Sequence, residues 1–155
     1  MIREVDGDLL GDDAQALVNA VNLAGVMGKG IALQFKRAFP EVFTAYAEAC
    51  ARGDLRPGKV FPVRTADRWV LNFPTKRHWR QRSRLDDIDA GLDDLARLLV
   101  ELDLQSVAVP PLGCGHGGLP WSAVHPLILD RLGPLDLDIR LYGPSHPTMD
   151  RAAPA

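Results

Sequence analysis

The chain has 155 residues, 46% of them hydrophobic and 25% charged, which suits one domain with a proper core and argues against two. A formal net charge of -2 excludes a general polycation, so any nucleic-acid contact must come from a local patch. No apolar run reaches the ~18 residues of a membrane span, and two cysteines without zinc or C-x-x-C spacing, behind a start with no signal-like segment, point to a reducing cytoplasm.

Ile2 to Asp6 predicts a first strand, closed by the turn Gly7-Asp8-Leu9-Leu10, in which Asp8 reads as a cap or turn former. Ala16 to Val21 is apolar enough for a buried strand, and Ile31 to Phe39 has helical spacing. Gly25, Gly28 and Gly30 therefore fall at a strand-to-helix junction, where backbone N–H groups and a helix N-terminus can grip an anion without any side chain. The order G-x-x-G-x-G, with no Ser or Thr after a Gly-Lys pair, matches neither common nucleotide fingerprint.

Pro40 opens a second helix in which Val42, Phe43, Tyr46, Ala47 and Cys50 recur at helical spacing, so Cys50 reads as core. Lys59 to Val63 and Arg68 to Phe73 predict two strands around a short turn, the second ending at Pro74. Lys76 to Arg84 then holds five cations, a histidine and a tryptophan with no acid. Such a block is often a solvated loop, yet Trp79 among arginines also matches single-stranded nucleic-acid binding, where phosphates pair with cations and a base stacks on the ring.

Asp86 and Asp87 suit a helix start, and Ile88, Leu92, Leu95, Leu98, Leu99 and Leu102 form its buried face. Gln105 to Pro110 is a short buried strand leading into a second glycine loop, Gly113 to Leu119; Pro120 opens a helix through Leu132, and Leu137 to Tyr142 is a last strand before a loose tail. Strand–helix alternation indicates an α/β layered fold with both glycine loops on one sheet edge, an arrangement that suits a diphosphate. The second loop contains G-x-G-x-x-G at Gly113, Gly115 and Gly118, but too few residues follow it to complete a dinucleotide-binding sheet.

With Gly7-Asp8-Leu9, Asn19-Ala20-Val21-Asn22, Gly25 to Ala32 and Pro111 to Gly115 in place, the chain from Ile2 to Tyr142 resembles the macrodomain family. Gly25 to Ala32 and Asn72-Phe73-Pro74-Thr75-Lys76 are similar to its DarG antitoxin branch and to a protein ADP-ribose glycohydrolase relative. The resemblance implies a three-layer macrodomain fold, a mixed central sheet flanked by helices, over residues 1–143, followed by a flexible tail over 144–155. It implies a hydrolase that removes ADP-ribose from thymidine in single-stranded DNA and opposes a DarT-like toxin, without metal or cofactor. It would act as a monomer in the cytoplasm, away from membranes. The alternatives are an ADP-ribose binder without chemistry and a hydrolase of ADP-ribosylated protein carboxylates.

By the same resemblance, Asp8 meets the adenine amino group with Leu9 beside it, and Asn22 lies near the distal ribose with Asn19 close by. Gly25, Val26, Met27, Gly28, Lys29, Gly30, Ile31 and Ala32 form one wall of the ADP-ribose site. Pro111, Leu112, Gly113, Cys114, Gly115, His116 and Gly117 form the other, with Thr75 between. Lys76 matches the lysine on which catalysis depends, and Gly117 stands where the protein glycohydrolase relative has an aspartate. His116 is the remaining group in that loop able to carry a proton. Lys76 has two open roles: an ammonium that stabilises the departing base, or a neutral amine, its pKa lowered by surrounding cations, that attacks the sugar. Lys76, Arg77, Trp79, Arg80 and Arg82 are the expected DNA contacts. The chain is also short for a whole antitoxin of this branch, which implies a fragment.

Overall fold

The computed structural model describes residues 1–144. The expected tail falls on 145–155 apart from its first residue, and so lies outside the described residues. Six strands, β1 (Ile2–Val5), β2 (Ala16–Asn22), β3 (Phe61–Arg64), β4 (Trp69–Lys76), β5 (Ser106–Val109) and β6 (Asp138–Tyr142), form one sheet in the order β1-β6-β5-β2-β4-β3. All neighbours are parallel except β3 with β4, which gives the expected mixed sheet.

The helices are α1 (Gly30–Ala38), α2 (Pro40–Ala51), α3 (Leu85–Glu101) and α4 (Trp121–Leu132). Alternation along the strands divides the core. Leu17, Val70 and Ala108 pack with Phe35 and Val42 of α1 and α2, and Val21 packs with Tyr46. Ala16, Val18, Leu71, Phe73, Val107 and Val109 pack with Leu92, Leu95, Val124 and Ile128 of α3 and α4. The result is a three-layer sandwich, with Ile88, Leu92, Leu95, Leu98 and Leu99 buried on α3 as their spacing requires.

Two boundaries differ from the sequence expectation. Strand β4 does not end at Pro74 but continues to Lys76. Pairing with β3 ends at Asn72, and the register with β2 shifts between Val21 and Asn22, opposite Pro74, so the missing N–H falls where the ladder is already interrupted. Helix α4 begins at Trp121, with Pro120 as the residue before its first turn.

This topology fixes where a ligand can sit. The chain leaves β2 through α1 and α2 towards β4, and leaves β5 through α4 towards β6, so neighbouring strands β2 and β5 send their connections in opposite directions. Such a switch point opens a crevice at the strands' carboxyl ends. Both glycine loops lie there.

Candidate active site

A cleft of about 870 Å³ opens over the carboxyl ends of the strands. Across the sheet its wall runs from Asp8 after β1 and Tyr142 at the end of β6, through the loops after β5 and β2, to Lys76 at the end of β4. Among the described residues lining it, Asp8 is the one acid, while Lys29, Lys76 and Arg80 are basic. The cleft is thus polarised: acidic at the β1/β6 flank, cationic at the β4 flank.

The first loop is built downwards from Asn22. Its side-chain Oδ1 accepts from the Ala24 N–H at 2.9 Å and from the Tyr46 hydroxyl at 2.8 Å, and its Nδ2 donates to the Val26 carbonyl at 2.8 Å. The loop is therefore fixed before any ligand arrives. Helix α1 starts at Gly30, and Lys29 before it supplies no side-chain capping oxygen, so first-turn N–H groups remain available to an anion. Gly30 has φ +59°, and a Cβ there would stand 3.3 Å from the His116 ring, so the two loops meet at this point. Val26, Gly28, Lys29, Gly30, Ile31 and Ala32 line the cleft.

Three expected ADP-ribose contacts, Asn19, Gly25 and Met27, do not. Asn19 is fully buried; its Nδ2 donates to Asn72 Oδ1 at 3.2 Å beneath Met27. It has the strand parity of Leu17 and Val21 and so points into the α1/α2 layer. Met27 is buried with Val21, Ala32 and Tyr46, plugging the loop onto the core. Gly25 faces α2, where a Cβ would lie 3.5 Å from that of Cys50, which is half-buried against the same cluster.

In the second loop, Pro111, Gly113, Gly115, His116 and Gly117 line the cleft. Leu112 is fully buried in the α3/α4 core and Cys114 packs against it, so these two side chains serve as anchors and not as contacts. At Gly117 an added Cβ would sit 2.2 Å from Ser83 Oγ and 2.4 Å from the Gly113 carbonyl oxygen. The absent carboxylate is thus excluded by packing as well as by sequence.

Lys76 ends β4 opposite Asn22 and donates from Nζ to the Trp79 carbonyl at 3.2 Å. It is half-buried in the cleft wall, and burial first, then the Lys29 ammonium, holds its pKa below the ordinary lysine value. That is the direction the nucleophilic alternative for Lys76 requires. The cation responsible is Lys29 of the first loop and not the arginines that follow Lys76. Thr75 beside it is buried, its hydroxyl 3.4 Å from the Val21 carbonyl, and also borders the cleft. Asp8 keeps its turn role, accepting from the Leu10 N–H at 3.2 Å, while Leu9 beside it is buried at the cleft edge.

The basic segment is not one uniform surface. Trp79 and Arg80 line the cleft. Arg77 turns away and donates to both carboxylate oxygens of buried Asp87 at 3.1 Å, and Arg82 donates to the Gly118 carbonyl at 2.9 Å. Both have partners within the protein and remain exposed at its surface. Sequence reasoning missed Gly7, Ala20, Val21, Gln34, Pro110, Tyr142 and Gly143, all of which border the cleft. The rule that ligands lie beyond strand carboxyl ends, applied to β1 and β6 as well as to β2 and β5, would have found all but Gln34.

A mixed six-stranded sheet between two helix layers, with twin glycine loops at its switch point, defines a three-layer α/β module. The chain belongs to the macrodomain family, whose Macro domain model matches residues 18–128. It is 54% identical over 150 residues to the DNA ADP-ribosyl glycohydrolase of Mycobacterium tuberculosis, covering 94% of this chain and 43% of that protein. The chain therefore spans less than half the length of this curated relative. Among solved structures, the macrodomain of Mycobacterium tuberculosis DarG superposes with TM-score 0.91 at 54% identity, over 94% of this chain and 99% of that one. Thermosipho africanus DarTG in complex with ADP-ribose superposes with TM-score 0.88 at 36% identity, over 92% of this chain and 41% of that one.

Proposed function

We propose that this macrodomain, taken as residues 1–143, is a DNA ADP-ribosyl glycohydrolase that releases ADP-ribose from thymidine in single-stranded DNA and so opposes a DarT-like toxin. The observation that carries the reading is the half-buried Lys76 amine, of lowered pKa, at the cationic flank of a cleft whose centre is two backbone anion loops. The order of the flanks supports adenine near Asp8, the diphosphate against the α1 N-terminus and the second loop, and the distal ribose towards Lys76 and Asn22. The names of the relatives favour DNA over protein carboxylates as the substrate. Monomeric action in the cytoplasm belongs to the same proposal.

Cleavage breaks the bond between the anomeric carbon of the distal ribose and a thymine nitrogen. The electron pair leaves with the base, whose imide anion spreads charge over two carbonyls, so a strong acid is less necessary than for an alkyl leaving group. That tolerates Gly117. The neutral Lys76 amine attacks the anomeric carbon, the sugar opens to a Schiff base, and water hydrolyses it to free ADP-ribose and regenerate the amine. His116, at the cleft wall against Gly30, is placed in this scheme as proton carrier to the leaving base.

The test presents the protein with a thymidine-ADP-ribosylated oligonucleotide and, separately, an ADP-ribosylated glutamate peptide. Label is expected to leave the oligonucleotide alone. Lys76→Ala should keep ADP-ribose binding and lose release by about 10²-fold or more. Turnover retained in that variant refutes the assignment.

A further inference from the structure

We propose that His78, Trp79 and Arg80 form a seat for an unmodified nucleobase next to the modified thymidine, so that the protein holds a strand and not a single nucleotide. This rests on the DNA substrate proposed above and deepens it. The Trp79 indole stays 40% exposed although the His78 ring stacks with it at 5.0 Å and 29° and the Arg80 guanidinium lies 4.4 Å from its centroid. The Arg80 N–H donates to His78 Nδ1 at 3.1 Å, and the Gln81 N–H to the His78 carbonyl at 3.0 Å, which fixes the turn carrying these planar groups. Exposed planar side chains held in a stack are what a base adds to, since every base has a π-face.

The charge around the seat selects the occupant. Arg80 makes no ion pair among the described residues, whereas Arg77 is spent on Asp87 and Arg82 on the Gly118 carbonyl. A cation left open beside an exposed aromatic, on a segment without acids, fits a base and its phosphate. The seat is also joined to the reacting group. The Trp79 carbonyl accepts from Lys76 Nζ, and Trp79, Arg80 and Lys76 border one cleft. A base on the stack therefore sets the strand's position relative to the amine.

The experiment compares cleavage of an ADP-ribosylated thymidine within a short single-stranded oligonucleotide and as an isolated nucleoside adduct, alongside binding of unmodified, end-labelled oligothymidylate read by fluorescence anisotropy. In Trp79→Ala the ratio of kcat/KM for oligonucleotide over nucleoside adduct should fall about tenfold, equivalent to about 1.4 kcal/mol, with a matching loss of oligothymidylate affinity. Trp79→Phe should recover most of both. Arg80→Ala should reduce the salt slope of oligonucleotide turnover by about 0.7, one phosphate contact on a single strand. A ratio and an affinity unchanged in Trp79→Ala overturn the seat while leaving the glycohydrolase reading intact. Trp79-dependent oligothymidylate binding without cleavage of either adduct overturns the glycohydrolase reading and leaves the seat standing.

Discussion

Lys76 is shaped by two influences that act in one direction. Burial disfavours its ammonium, and so does Lys29 from the loop across the cleft. A lysine whose folded pKa lies below its unfolded value of 10.5 costs stability at pH below the folded pKa, and that cost fades as pH rises towards the unfolded one. For a nucleophilic amine the rate follows the same direction, rising with pH through the folded pKa to a plateau. Lys29→Gln removes the charge and keeps the burial, so the rising limb should move to higher pH in single-turnover measurements; an unmoved or lowered limb would sink the nucleophilic role. Lys76 was legible from the run Asn72 to Lys76, but its perturbing neighbour was not, because Lys29 is 47 positions away and meets it only across the cleft. Asn19 was misread for a related reason. Both faces of β2 are covered by helices, so its residues give no polar alternation to say which way the asparagine points.

The segment after β4 works as a strap between elements. Arg77 ties it to the first turn of α3 through Asp87, and the Ser83 N–H and Arg82 guanidinium tie it to the Gly117 and Gly118 carbonyls of the second glycine loop, each at 2.9 Å. That loop also closes on itself, the Cys114, Gly118 and Leu119 N–H groups donating to the Pro111, Gly115 and Gly113 carbonyls, and these outside bonds add to that frame. Arg82→Ala is expected to weaken free ADP-ribose binding, measured by calorimetry, by about threefold to tenfold, the net worth of one exposed hydrogen bond. The salt slope of oligonucleotide turnover should stay as it was. The reverse pattern, intact ADP-ribose affinity with a shallower slope, would mark Arg82 as a strand contact and sink its role as a brace. The sequence reading grouped Arg77, Arg80 and Arg82 together, and no local rule separates those bonded to Asp87 and a loop carbonyl from Arg80. The strand–helix alternation and the polarity of both glycine loops were by contrast legible, because each depends on near neighbours in sequence. The continuation of β4 through Pro74 was not, since it depends on β3 ending and β2 shifting register beside it.

The cleft draws on residues from Gly7 to Gly143, with contributions at the ends of β1, β2, β4, β5 and β6, and so spans nearly the whole described chain. A ligand lying along it touches both sides of the switch point, and helices from both outer layers begin at the loops that would grip it. Opening any one of these elements spoils the site, so binding should be linked to unfolding of the module as a unit and not to one loop. A molecule that binds the folded state alone adds RT ln(1 + [L]/Kd), about 2.7 kcal/mol at a hundredfold excess over Kd. Thermal unfolding with ADP-ribose should therefore show one transition whose midpoint climbs with ligand concentration, followed by both tryptophan fluorescence and circular dichroism. Lys76→Ala should keep that climb, because the proposed chemistry puts its amine at the reacting sugar and not at the diphosphate. A shift seen by fluorescence but not by circular dichroism would mean that ligand orders the Trp79 segment alone, and that the twin loops are not the grip on which the proposed chemistry depends.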